Sequence, residues 1–284
     1  MNSQIVSKSF NSKSVPISIP DWANYHESGS GSPVILVHGL AASLYDWESI
    51  MPELASSNYH GYALDLLGHG DSPKPETRSY KVKWVLRHFE KWIQSLDLSE
   101  PPILIGHSLG SYLVLRYTLR HIQTVRGIVL ISPLFSVQQL PPILRRTYRH
   151  PTLNALVMER LPRWVFQVAV DFTSQTLGRI GHGTHDLPPE IRFQTALDYK
   201  RTHPGAFNIP NTVRDLTSEL HRIEQPALVI WGERDLTLNP VMFPGLVEAL
   251  PNARGIPFPF SGHVLHQSHS KQFNKLVLDF LNSL

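Results

Sequence analysis

The sequence has no cysteine and no long apolar segment. The absence of cysteine excludes disulfide scaffolds, cysteine nucleophiles and thiolate metal sites, although it does not identify the redox compartment. No run approaches the roughly 18 apolar residues that a membrane-spanning helix requires. Residues 1–8 also lack the apolar region of a secretory signal. We therefore expect a cytoplasmic protein without a transmembrane segment.

The sequence also has little excess charge of either sign. The formal net charge is +3, and the basic residues form no run with interleaved aromatic residues of the kind that follows nucleic acid. Nucleic-acid binding is therefore not expected. With 284 residues and 42% hydrophobic composition, the chain can bury a sizeable core as one large α/β domain or two modest ones.

Short apolar runs alternate with segments of helical periodicity over most of the chain. Buried strands are predicted at residues 33–37, 62–66, 103–105, 127–131, 227–232 and 254–258. Helices are predicted at residues 45–54 and 81–96, after Leu109 and at the C-terminal end. Two edge strands, at residues 4–10 and 14–19, and a turn at residues 28–32 are predicted before them. This alternation implies a mostly parallel sheet with helices on both faces.

The alternation stops between residues 134 and 222. This stretch is rich in proline and has no convincing buried strand, but it contains aromatic and apolar pieces with helical spacing. It is interpreted as a helical cap inserted into one sheet. The core is then formed by residues 1–133 and 223–284.

The strand predicted at residues 103–105 runs into a serine between two glycines, Gly106, Ser108 and Gly110. A sharp turn from strand to helix forces such a serine into a strained backbone conformation. The glycines remove the Cβ atoms that would clash there. Because Gly-X-Ser-X-Gly also occurs by chance, the pattern gains weight only from the strand before it and the helix after it.

A serine hydroxyl needs a base to take its proton, and the base needs a carboxylate to hold its tautomer. In an open parallel sheet, reactive groups gather beyond the carboxyl ends of the strands. Asp235 and His263 stand at two such positions, after the strands at 227–232 and 254–258. Glu233 is the alternative acid, although its position nearer the strand end fits less well.

The oxyanion of a tetrahedral intermediate needs hydrogen-bond donors as well. The backbone N–H of Leu109, directly after the serine, is one candidate. The N–H of Leu40 is the other, in the loop that His38 and Gly39 begin after the strand at 33–37.

These motifs together resemble the α/β-hydrolase superfamily, in its form with an inserted cap. The resemblance rests on His38-Gly39, on residues 65–72, on Gly106-His107-Ser108-Leu109-Gly110, on residues 231–235 and on Gly262-His263. It implies the α/β-hydrolase fold, no cofactor and a small-molecule substrate. Relatives that open halogenated alkanes or epoxides have an aspartate at the elbow, and the serine at position 108 argues against both activities.

Within that superfamily we expect a serine hydrolase that cleaves carboxylic esters with an apolar acyl or alkyl group. A carbon-carbon bond hydrolase with the same serine triad is the alternative enzyme. A receptor or other binding module of the same fold is the alternative without catalysis, although such proteins usually lack a triad member and this chain has all three.

For several further residues, a role in substrate binding is weighed against a role in packing or on the solvated surface. Trp164 and Phe166 either roof the substrate pocket or form the core of the cap. Arg145, Arg146 and Arg149 are expected on a solvated face rather than around an anionic substrate. His38, His69 and His107 are expected to pack as polar groups.

Histidines recur at a spacing of three, which is one pattern that metal sites use. His263, His266 and His269 form one such set, and His182 and His185 form another. Neither set has carboxylate or cysteine ligands nearby in a recognisable pattern, so no metal is predicted.

Overall fold

The computed structural model describes residues 19–147, 150–177 and 187–284. The edge strands predicted at residues 4–10 and 14–19, together with His182, His185 and Arg149, lie outside these ranges, apart from Ile19. Within the described residues, the strands are β1 Tyr25–Gly29, β2 Ser32–Val37, β3 Tyr59–Leu64, β4 Ile103–His107, β5 Gly127–Ile131, β6 Ala227–Gly232 and β7 Ala253–Phe258. They form one sheet in the order β1-β3-β2-β4-β5-β6-β7, with β1 antiparallel to β3 and the other pairs parallel.

Helices cover both faces of the sheet, as the alternation predicts. The helices are α1 Met51–Ser56, α2 Val82–Ser95, α3 Leu109–Arg120, α4 Pro142–Thr147, α5 Pro151–Arg160, α6 Arg163–Asp171, α7 Pro189–Arg201, α8 Phe243–Ala249, α9 Leu265–Ser268 and α10 Ser270–Leu281. Alternate residues of β2 point to opposite faces: Ile35 and Val37 join α2, α3 and α8, whereas Val34 and Leu36 join α1 and α10. The fold is therefore the predicted α/β-hydrolase fold. None of the helices in the described ranges has the length and apolar character of a membrane span.

The largest differences from the predicted strands are at β1 and β3, whereas β2, β4 and β7 differ by one or two residues at an end. β1 was missed, because its residues Tyr25–Gly29 are mostly exposed and have no apolar alternation. β3 was predicted at residues 62–66 but runs over Tyr59–Leu64, since its first residues pair with β1 and β2 despite their polar side chains.

The stretch predicted as a cap is helical in its described residues, where no strand occurs. α6 and α7 pack together around a small cluster of Phe166, Val170 and Ala196. The ends of the stretch behave differently, because Leu134 and Phe135 at one end and Leu216 and Leu220 at the other join the main core.

Helix α3 lies unusually close to the sheet. A Cβ on Gly110 would overlap the carbonyl oxygen of Val37 in β2, and a Cβ on Gly106 would come within 2.6 Å of the Gly110 carbonyl carbon. Ser111 reinforces this approach, because its hydroxyl donates to the Gly106 carbonyl at 2.6 Å. The spacing of the two glycines therefore sets how the helix leaves the strand.

Replacing Gly110→Ala should lower the free energy of unfolding by roughly 1–3 kcal/mol or more, because the added methyl meets backbone that cannot move aside. Gly245→Ala in α8 is the matched control, since nothing lies within 4 Å of the added Cβ. That change should leave stability equal or raise it by up to about 1 kcal/mol. Urea denaturation measures both, and equal midpoints for the two variants would contradict this account of the helix packing.

Candidate active site

Ser108 occupies the turn between β4 and α3 with φ 51° and ψ −112°, a strained conformation for a residue with a side chain. The surrounding backbone holds it there. Its N–H donates to the Ile131 carbonyl at 2.9 Å, and its own carbonyl accepts from Leu134 N–H at 3.1 Å. The predicted nucleophile is thus fixed by the end of β5 and stands almost buried, with 8% of its surface exposed.

The predicted base and acid are hydrogen-bonded to each other. His263 Nδ1 lies 2.7 Å from Asp235 Oδ2. The other carboxylate oxygen accepts from the N–H groups of Thr237 at 2.7 Å and Leu238 at 3.0 Å. Because a carboxylate oxygen only accepts, Nδ1 carries the proton and Nε2 keeps a lone pair. This is the tautomer that a general base requires.

Close packing of two loops brings this pair together. A Cβ on Gly232, at the end of β6, would overlap the carbonyls of Ser261 and Gly262, and Arg234 N–H donates to the Ser261 carbonyl at 3.0 Å. Glu233, the alternative acid, is exposed. The structure therefore pairs His263 with Asp235 rather than with Glu233.

The loop after β2 passes directly against the elbow. A Cβ on Gly39 would come within 2.9 Å of His107 Nδ1 and 3.4 Å of Ser108 Cβ. His38 anchors the loop: its Nε2 accepts from Leu66 N–H at 3.0 Å and its Nδ1 donates to the Gly39 carbonyl at 2.7 Å. Within the described part of the chain, the N–H groups of Leu40 and Leu109 have no hydrogen-bond acceptor.

The remaining histidines near the site act as polar packing groups, and His69 and His107 are buried. His107 Nε2 donates to the His263 carbonyl at 3.1 Å, and the two rings lie 4.8 Å apart. His69 Nδ1 donates to the Leu67 carbonyl at 3.1 Å. Burial lowers the pKa of both His69 and His107 to about 3. His269 bonds to hydroxyls of Ser261 and Ser268.

The two aromatic residues predicted for the substrate pocket lie in different environments in the structure. Phe166 is 7% exposed and packs with Val170 and Ala196 in the stretch predicted as a cap, with its ring 5.7 Å from that of Tyr199. Trp164 is 65% exposed. Phe166 fits the alternative interpretation as cap core, and a pocket role for either residue stays a prediction. Arg145 and Arg146 are exposed on α4, as expected.

A cavity of about 580 Å³ lies between helix α7, in the stretch predicted as a cap, and the loop that contains Asp46. Among the described residues that line it, four are acidic and none is a lysine or arginine. The carboxylates are Asp46, Glu48, Glu190 and Asp198. Ser108 and His263 are not among the described lining residues, and Asp46, which faces His107, links the cavity to the predicted catalytic groups.

Asp198 is a buried acid that the sequence does not reveal. Ser43 Oγ donates to its Oδ2 at 2.7 Å and Gln194 Nε2 donates to its Oδ1 at 2.9 Å, so it connects the cap to the loop after β2. Burial raises the pKa of Asp198 to about 7. In the sequence it is one charged residue in a short helix, and only the fold brings it to this boundary.

A family model described as the alpha/beta hydrolase fold matches residues 32–185, which is more than half of the chain. The chain therefore belongs to the α/β-hydrolase family, and it is a hydrolase. Its sequence is 25% identical over 265 residues to 2-hydroxy-6-oxo-6-(2'-aminophenyl)hexa-2,4-dienoic acid hydrolase of Metapseudomonas resinovorans, covering 91% of this chain and 87% of the relative. It is 26% identical over 278 residues to epoxide hydrolase 3 of Mus musculus, covering 90% and 72%.

Among solved structures, a thermophilic esterase from Thermogutta terrifontis superposes with a TM-score of 0.76. The sequence identity is 19%, and the superposition covers 92% of this chain and 93% of the esterase. At 19% sequence identity, this structural similarity shows a shared fold and nothing further.

Asp198→Asn should change how stability depends on pH. The pKa of Asp198 is about 7 in the folded chain and about 4 when unfolded, so the neutral acid favours folding below pH 4. This contribution to the free energy of unfolding, about 2–4 kcal/mol, is lost as the pH rises from 4 to 7. The unfolding free energy of the wild type, measured by urea titration, should therefore fall relative to that of the variant between pH 4 and 7.

Asp279→Asn is the control for this experiment, because Asp279 is an exposed acid on α10. Its pH profile should follow that of the wild type. Parallel profiles for Asp198→Asn and the wild type would show that Asp198 ionises normally.

Proposed function

We propose that this chain is a serine hydrolase that cleaves carboxylic esters through an acyl-enzyme. The observation that carries the proposal is the 2.7 Å bond from His263 Nδ1 to Asp235 Oδ2, which leaves Nε2 with a lone pair at the end of the sheet where Ser108 stands in its strained turn. No cofactor is implied, and the cap is proposed to be the insert at residues 134–222.

The steps follow from these groups. Ser108 Oγ attacks the ester carbonyl while His263 Nε2 takes the hydroxyl proton. Asp235 stabilises the imidazolium that forms, and the Leu40 and Leu109 N–H groups hold the oxyanion of the tetrahedral intermediate. His263 returns the proton to the departing alcohol. Water then attacks the acyl-enzyme with His263 again as base, releasing the acid and restoring Ser108.

Charge around the site favours a neutral substrate. The cavity beside α7 reaches the predicted site at Asp46, and its described lining has four acidic side chains and no lysine or arginine. A substrate group that carries its own carboxylate would be repelled there. Arg145 and Arg146, which the sequence offers as one candidate anion site, face solvent. An ester with an apolar acyl or alkyl group meets no such repulsion.

A carbon-carbon bond hydrolase is the second candidate. The named activity of the dienoic acid hydrolase from Metapseudomonas resinovorans, which aligns over 91% of this chain, favours it. The same serine, histidine and aspartate would serve that reaction. Epoxide opening is not proposed, because the elbow residue is Ser108 rather than the aspartate that the resemblance implies for that chemistry.

Asp235→Asn should lower kcat for p-nitrophenyl esters by roughly 1,000- to 10,000-fold with the fold retained. The amide presents a donor to Nδ1 and favours the wrong tautomer of His263. Glu233→Gln, two residues away and exposed, is the matched control and should keep full activity. If Glu233→Gln lost activity and Asp235→Asn kept it, the acid would be wrongly assigned.

A comparison of neutral p-nitrophenyl esters with a 2-hydroxy-6-oxo-dienoic acid tests the reaction itself. We expect the esters to be cleaved with the higher kcat/KM, and Ser108→Ala to reduce that value at least about 1,000-fold. The exposed Ser95→Ala is the control and should behave like the wild type. Cleavage of only the dienoic acid would establish the second candidate, and unchanged ester turnover by Ser108→Ala would exclude the mechanism.

A further inference from the structure

Three side chains from distant parts of the sequence converge behind the elbow. Asp46 lies in the short turn after β2, His107 is the last residue of β4, and His266 lies in α9. His107 Nδ1 is 3.8 Å and His266 Nε2 is 3.7 Å from Asp46 Oδ2. Each of the three side chains offers one ligand atom, and these ligand atoms all lie within 4.8 Å of one another. His266 and His107 are 1% and 4% exposed, and the Asp46 side chain is 10% exposed.

Hydrogen bonding leaves unused lone pairs in this cluster. His107 Nε2 donates to the His263 carbonyl, so neutral His107 has a lone pair on Nδ1. Gln267 Nε2 donates to Asp46 Oδ1 at 2.8 Å, which leaves Oδ2. Within the described residues, His107 Nδ1 and both nitrogens of His266 are buried without a hydrogen-bond partner. The separations of 3.7 and 3.8 Å are too long for hydrogen bonds.

Acceptor atoms that face one another in a buried space repel unless a proton or a metal cation lies between them. A Cβ on Gly39 would approach His107 Nδ1 within 2.9 Å, so glycine keeps the space beside that nitrogen open. Two ligands of a tetrahedral ion with bonds of about 2.1 Å lie about 3.4 Å apart. The observed separations from Asp46 Oδ2 are only slightly larger.

We propose that Asp46 Oδ2, His107 Nδ1 and His266 Nε2 bind a divalent first-row transition metal ion, for which Zn²⁺ is the best match. Two imidazoles and one carboxylate are ligands that zinc prefers, whereas Mg²⁺ and Ca²⁺ require mostly oxygen. The bonds from His107 to the His263 carbonyl and from Gln267 to Asp46 are the outer-shell contacts that orient such ligands. Asp46 also lines the cavity beside α7, which gives the ion a path from solvent.

The bound ion has a structural role that goes beyond the proposed ester hydrolysis. Its ligands come from the loop after β2, from the residue before Ser108 and from the segment three residues after His263. The ion therefore joins the three segments that hold the predicted oxyanion donor, nucleophile and base. The sequence does not reveal this site, because Asp46 is far along the chain from both histidines.

Zinc binding to the full chain, with any affinity tag removed, tests the proposal. Competition with a chromophoric chelator should give one equivalent of Zn²⁺ per chain. Co²⁺ in its place should give the visible absorption of a low-symmetry site. His266→Gln and Asp46→Asn should each weaken binding at least about 100-fold, and Gln267→Leu, which removes only an outer contact, about 10- to 100-fold.

His121→Gln is the matched control. His121 Nε2 lies 3.7 Å from Glu90 Oε1, a similar histidine-carboxylate pair at a more exposed position, and its loss should leave the equivalent of zinc in place. The proposal is overturned if the wild type binds no stoichiometric zinc, as when His266 is protonated and pairs directly with Asp46. It is also overturned if both Asp46→Asn and His266→Gln bind zinc like the wild type. Circular dichroism of each variant without metal distinguishes loss of the site from loss of the fold.

Discussion

The close approach of helix α3 to strands β2 and β4 is the constraint on which the rest of the site depends. Two glycines allow it, since a Cβ on Gly110 would overlap β2 backbone and one on Gly106 would crowd the start of the helix. This approach forces Ser108 to φ 51°. It also leaves the N–H of Leu109 at the first turn of the helix, next to the loop of Gly39 and Leu40. A looser junction would relax the serine and separate these groups.

Strained backbone of this kind persists only where surrounding contacts determine it, and here they come from the sheet. Ser108 is bonded through its N–H to Ile131 and through its carbonyl to Leu134. Both partners lie at or just beyond the end of β5. The neighbouring strand β6 continues into the turn of Asp235, so the serine and its predicted acid are positioned by adjacent strands. Parallel pairing thereby links the local strain to the global fold.

The sequence predicts most of the sheet because buried parallel strands are continuous apolar runs, such as residues 127–131 and 227–232. It fails for β1, whose exposed Tyr25–Gly29 has no such pattern and is defined only by pairing with β3. Ser108, Asp235 and His263 are predictable because strand ends mark their positions. Asp46 and Asp198 are not, because no local pattern distinguishes them from ordinary surface acids before the cap meets the core.

The structure gives His107 a positioning role that the sequence does not indicate. In the sequence it is the variable residue of Gly-X-Ser-X-Gly, and in the structure its Nε2 holds the His263 carbonyl at 3.1 Å. The predicted base is therefore held on two sides, by Asp235 at its ring and by His107 at its backbone. Since His107 adjoins Ser108, the same residue links the position of the nucleophile to that of the base. Burial lowers the pKa of His107 to about 3, so the ring holds the His263 carbonyl as a neutral imidazole.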